Sequence, residues 1–252
     1  MDGRRVLVEI KPWDAEIKIN RPGELSFLRQ RFATLVKVLR VSDLATVYGG
    51  SESASNILPC VGFSEVFQDG VAGAFLLIYD VPESTAPLSS LLPGWRSSSQ
   101  SLLVSRRFEA ASIRWALAGD LIRAVQLLHG LHYVHEAINP QNFYITNAIS
   151  SHSDPTSCGQ LAGFQLSRSF DGQTDKVTEV DGKLTLYRHF RRQKHTMDRH
   201  TQQHDMYSLG LVGLHLCSIL RLLINCGRCC TQFFGGSHFI VTRLHWTFTI
   251  RT

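Results

Sequence analysis

The residues of this 252-residue chain with the greatest capacity for chemistry gather in one short stretch, His135-Glu136-Ala137-Ile138-Asn139-Pro140-Gln141-Asn142. It sets an imidazole, a carboxylate and three side-chain amides close together. Glu136 is its one carboxylate able to receive a proton, whereas His135 reads as a packed histidine that supports the surrounding backbone. Asn142 offers a neutral oxygen, which by itself is a poor ligand for a hard divalent cation that prefers carboxylate and phosphate oxygens. Farther along, Asp205 precedes an apolar run and reads as a structural residue that caps a helix by accepting from orphan N–H groups. Cys226, Cys229, His238 and His245 contain zinc-ligating elements, but the six residues between the two histidines exceed the usual finger spacing, and incidental thiols are expected.

The elements that must position these groups can be read from periodicity. Arg5 to Lys11 is a β-branched run closed by Pro12, the pattern of a strand ending in a turn. From Glu24 to Leu39, Leu25, Phe27, Leu28, Phe32, Leu35, Val36 and Leu39 recur at helical spacing. Two strands at 57–63 and 74–79, joined through Gln68-Asp69-Gly70, predict an antiparallel hairpin. Pro82 marks a boundary, and a Ser-rich loop follows. The helix expected over Ala110–His129 carries Ile113, Leu117, Leu121, Ala124, Val125 and Leu128 on one face and stops at Gly130. Short strands are expected at Phe143-Tyr144-Ile145 and around Leu161, and a last helix is expected to open at Asp205. Its apolar part, Met206 to Ile224, contains His215 and Arg221, which favours a buried core helix over a membrane span.

Composition narrows the function classes without choosing among them. The net charge of +5 and the pI of 9.0 permit weak attraction to anions, but basic residues are dispersed and lack interleaved aromatics, so nucleic-acid binding is not expected. The six cysteines, at 60, 158, 217, 226, 229 and 230, do not suggest a disulfide framework, because no secretion signal is visible at the first residues. A cytoplasmic or nuclear protein without membrane association is expected.

The motifs carry a resemblance. His135, Ile138, Pro140 and Asn142 fall in register with the catalytic loop of protein kinases. Leu161-Ala162-Gly163-Phe164 is similar to the metal-binding Asp-Phe-Gly segment, Asp205 to the aspartate that opens the central helix of the large lobe, and Val8-Glu9-Ile10-Lys11 to the strand carrying the phosphate-binding lysine. The sequence over roughly residues 4 to 220 therefore resembles the protein kinase-like superfamily. Leu186-Tyr187-Arg188-His189 gives it the flavour of the divergent kinase-like proteins of filamentous fungi. The implied fold is α+β and two-lobed. It has an incomplete small lobe, an antiparallel sheet plus one helix, at 4–81 and an incomplete, mainly helical large lobe at 82–220. Residues 221–252 are an anomalous tail that departs from the family pattern.

What the resemblance implies about chemistry is loss. Ala137 stands at the catalytic aspartate position, and a methyl group can neither accept a proton nor orient a hydroxyl. Gly163 replaces the metal-binding aspartate, so no metal site is intact. Asn139 stands where many kinases have a lysine, and no Gly-x-Gly-x-x-Gly occurs. Lys11 and Asn142 remain as remnants of a nucleotide site. Phe164 is expected to be a packing residue that links the lobes. The expected function is that of a catalytically inactive pseudokinase that acts through contacts with a protein partner, with no cofactor beyond weak or metal-independent ATP binding. The alternatives are an atypical active Ser/Thr kinase that uses Glu136 as base, and a non-functional fragment of a larger kinase-like protein.

Overall fold

The computed structural model describes residues 5–13, 22–41, 56–68, 72–82, 84–92, 111–147, 157–172, 182–193 and 199–217. The anomalous tail, with its cysteine and histidine ligand set, lies outside the described residues, as do the expected turn residues Asp69 and Gly70. Met1–Cys217 forms one compact unit.

The chain opens with strand β1 (Arg5–Trp13), helix α1 (Pro22–Val41), strand β2 (Cys60–Gln68) and strand β3 (Ala72–Val81). The three strands make an antiparallel sheet in the order β1-β3-β2. The hairpin is thus present, but β2 begins at Cys60. Ile57, expected within the strand, instead bridges to Leu161, and the Leu58 amide donates to the Leu161 carbonyl at 2.9 Å. Ile57 and Leu58 are drawn away from the sheet to the other half of the molecule.

Helix α1 covers the inner face of this sheet. Its apolar residues Leu25, Phe32, Leu35, Val36 and Leu39 are buried, and Phe32 stacks on Phe75 of β3 with ring centroids 5.0 Å apart. Each such side chain contributes roughly 2 kcal/mol by leaving water. In β1, alternation places Leu7, Glu9 and Lys11 on the helix side with their partners Tyr79, Leu77 and Phe75. Val6, Val8 and Ile10 lie on the outer face at 56%, 41% and 59% exposure. The usual hydrophobic-in pattern is reversed along this strand.

Strand β4 (Thr85–Pro87) and a 3₁₀ turn at Leu88–Leu91 lead to helix α2 (Ala111–Gly130), which lies within a residue of its expected bounds. Strand β5 (Tyr133–Val134) follows, then β6 (Phe143–Asn147) and β7 (Ser157–Leu161). A second 3₁₀ turn at Phe164–Leu166 precedes β8 (Arg168–Ser169). Strands β4, β6 and β7 pair in that order, and β5 pairs with β8. Helices α3 (Gly182–Thr185), α4 (Phe190–Gln193) and α5 (Gln202–Leu216) complete the unit. Leu117, Leu121, Val125 and Leu128 of α2 are buried with Val212 and Leu216 of α5 in the same core. Helix α5 starts earlier than expected, because the Thr201 N–H donates to His204 Nδ1 at 2.9 Å and makes Thr201 the cap. Asp205 therefore lies inside the first turn, not ahead of it. Among the described residues, no helix is long and apolar enough to cross a membrane.

Candidate functional site

Asp205 organises the loop His135–Asn142. Its carboxylate is fully buried and accepts the backbone N–H of His135 at 2.8 Å and of Glu136 at 3.0 Å. His129 Nε2 and His200 Nε2 lie 3.0 and 2.8 Å from its two oxygens. Burial by itself raises its pKa, but the hydrogen bonds from His129 and His200 and the surrounding histidine charge outweigh this and hold it well below the usual carboxylate range. Glu136 itself holds a left-handed φ of +67°, uncommon for a residue other than glycine.

His135 is equally committed. The Ala137 N–H donates to its Nδ1 at 3.2 Å, so the proton resides on Nε2, which donates to the Ala162 carbonyl at 2.9 Å. Burial pulls its pKa down to about 4, and the ring packs edge-on against buried Phe164 at 4.7 Å. It is a neutral brace between the loop and the segment at Phe164.

The side-chain amides of Asn139 and Asn142 hold the loop together. Asn139 Nδ2 and Asn142 Nδ2 each donate to the Ala137 carbonyl at 2.8 Å, and Asn139 Oδ1 accepts the Gln141 N–H at 2.8 Å. Gly163 adopts a φ of +88°, and a Cβ built there would lie 2.3 Å from Asn142 Cγ. The present packing therefore excludes any side chain at 163 while Asn142 stays where it is. Glu136 does not turn toward the centre of the loop. It pairs instead with Arg168, Oε1 to Nε at 2.5 Å, with both side chains almost fully buried. This leaves it unplaced to act as a base over Ala137.

Glu9 is the residue that sequence reasoning missed. Its carboxyl group, buried beneath β1, accepts the N–H of Phe164 at 2.7 Å, the N–H of Gly163, and the Tyr79 hydroxyl at 3.0 Å. Burial raises its pKa to about 7 against the opposing pull of those hydrogen bonds. Lys11, singled out from sequence, lies two residues on along the same face, half-buried opposite Phe75. The acidic side chain, not the basic one, reaches the Gly163–Phe164 backbone. A signal was present in the sequence, a lone carboxylate amid an apolar strand, but the lysine motif beside it drew the reading. Helix α1 adds a second tie, as Arg31 donates to the carbonyls of Leu166 and Ser167 at 3.3 and 2.9 Å. Among the described residues, no group of three or more His, Cys, Asp or Glu is placed to hold a metal ion.

A three-stranded sheet with one covering helix, joined to a helical half through a histidine-containing loop clamped by a buried aspartate, is a protein-kinase-like fold. Among solved structures, that of vaccinia related kinase 3 matches with a TM-score of 0.50 and 20% sequence identity, over 83% of this chain and 57% of that one. The chain thus spans little more than half the length of that kinase, and the likeness concerns the fold alone. No protein-family model matches the chain, and a search of curated proteins finds no significant match.

Proposed function

We propose that this chain is a kinase-like domain that does not transfer phosphoryl groups and acts through contacts with other proteins. The observation that carries the reading is the Glu9 carboxyl group bound to the Gly163 and Phe164 amides. A metal–triphosphate complex needs cationic or metal-ligating groups beside that segment. Here the place holds a carboxyl group, and Ala137 and Gly163 supply neither base nor ligand. An incoming triphosphate would meet an acid whose ionisation it opposes, and the neutral amide oxygen of Asn142 is by itself a poor ligand for magnesium. The loop's order serves architecture, and the exposed Val6, Val8 and Ile10 give an apolar surface suited to a protein partner. A cytoplasmic setting without a bound cofactor accords with this role.

The test is incubation of the purified chain with labelled ATP, magnesium or manganese, and a peptide mixture. No incorporation above the blank is expected; incorporation abolished by Lys11→Met would overturn the proposal. Melting with ATP in excess, with and without magnesium, provides the binding arm. A ligand present at a hundredfold its Kd would add about 2.7 kcal/mol, and no such magnesium-dependent gain is expected. For the contact surface, the set of proteins retained by the wild-type chain is expected to shrink for Val8→Lys/Ile10→Lys, and an unchanged set argues against that face.

A further inference from the structure

We propose that strand β1 is an interface between two copies of this chain. Its open side pairs antiparallel with β1 of a second copy, Val8 opposite Val8, and joins three strands from each copy into one continuous sheet. The proposal rests on the reading of Val6, Val8 and Ile10 as a contact surface and names the partner.

The two edges of the sheet differ in their fitness for a further strand. On one side β1 pairs with β3 without interruption from Arg5 to Trp13, and among the described residues no strand pairs with its other side. At the far edge β2 carries a register shift between Cys60 and Gly62. A bulge bends a strand and discourages pairing, whereas a regular, apolar edge is a template for another chain. Pro12 has no N–H to give a ladder and closes the usable stretch, which leaves residues 6–10, about 17 Å of strand.

The pattern of β1 decides what fits there. Residues directly opposite in an antiparallel pair share a face, so an added strand must bring apolar side chains to the outer face at alternate positions. β1 does this itself, with Val6, Val8 and Ile10 all outward and evenly spaced about Val8. Slipping the register by one residue would set outer-face side chains against inner-face ones. Slipping it further would place Glu9, whose carboxyl group is held by Gly163 and Phe164, opposite itself, or would leave Ile10 without an aliphatic partner. With Val8 on the two-fold axis, Val6 meets Ile10 of the second copy on both sides, and every outward aliphatic residue of the stretch has an aliphatic neighbour.

The same register sets Arg5 opposite Lys11 of the second copy at each end, a like-charge pairing that weakens the association. The paired stretch is also shorter than a standard interface of about 800 Å² per partner requires, so the dimer belongs to the weak, concentration-dependent class. A two-fold contact closes on itself, and it leaves the bulged β2 strands at the outer edges, so assembly stops at two copies.

The test is sedimentation of the full chain over a concentration series. The wild-type chain is expected to pass from monomer to dimer as its concentration rises. Val8→Lys and Val8→Glu, each at a position 41% exposed, should keep the thermal melt of the wild type and lose that shift, because each sets like charges across the axis. An equimolar mixture of the two variants should recover it, since Lys then faces Glu. A monomer at every concentration, assemblies larger than a dimer, a shift that survives in Val8→Lys, or a mixture that stays monomeric overturns the proposal. A monomeric wild-type chain whose retained proteins still shrink with Val8→Lys/Ile10→Lys would sink the second copy and leave the contact surface standing. A dimer that behaves as expected in a chain that transfers phosphate would do the reverse, removing the non-catalytic reading and keeping the interface.

Discussion

Gly163 shows how far a single residue constrains what this site can become. Its left-handed backbone and the Asn142 side chain packed against its Cα leave no room for a Cβ. Gly163→Asp, the change that would supply a metal ligand, must therefore distort the loop it is meant to complete. Gly163→Ala and Gly163→Asp are each expected to cost about 2–4 kcal/mol, from the left-handed penalty and the steric conflict together, as read by urea unfolding. A cost for Asp far below that for Ala would mean the carboxylate finds new contacts, contrary to this packing. Combining Gly163→Asp with Ala137→Asp is not expected to create phosphotransfer, since Glu9 would still occupy the adjoining amides.

Between elements, the two halves of the unit are tied by buried polar groups, and these were the least legible part of the sequence. The helices were visible, because residues such as Leu117, Leu121 and Leu128 repeat with the helical period over twenty residues. The hairpin was visible from its two apolar runs. The loop that Asp205 clamps was visible from the spacing of His135 and Asn142. Glu9 was not, because along β1 the apolar Val6, Val8 and Ile10 face outward and the acid faces in, so alternation points the wrong way. Nor was the pairing of Glu136 with Arg168, which joins β8 to the loop across 32 residues of chain. No local pattern encodes a partner that far away. Removing one member of such a pair strands the other: Arg168→Met is expected to cost about 3–5 kcal/mol. The double variant Glu136→Leu/Arg168→Met should be less destabilised than Arg168→Met alone. A double-mutant cycle by chemical denaturation checks this, and simple additivity would show that Arg168 acts mainly through its bonds to the carbonyls of Ser169, Phe170 and His200.

For the molecule as a whole, Glu9 and His135 make opposite contributions to stability over the same range of pH. The folded-state pKa of Glu9 is raised from 4.5 to about 7. The folded chain thus binds more protons there than the unfolded chain, and stability present below pH 4.5 is lost as pH rises toward 7. For His135 the pKa falls from 6.5 to about 4, so its contribution is present above pH 6.5 and is lost as pH falls toward 4. Each is worth about 3 kcal/mol at most, and across their shared window the two nearly cancel. Asp205, depressed below 3.8, acts only under more acidic conditions. The wild-type chain is therefore expected to show a shallow dependence of unfolding free energy on pH from these groups. Glu9→Gln removes one member of the opposition, so relative to the wild-type chain its stability should climb with pH by about 3 kcal/mol across that window. Urea titrations at half-unit steps would resolve the difference. Parallel curves for the two proteins would mean that the Glu9 carboxyl group keeps an ordinary pKa, and that its three hydrogen bonds already offset the whole cost of burying its charge.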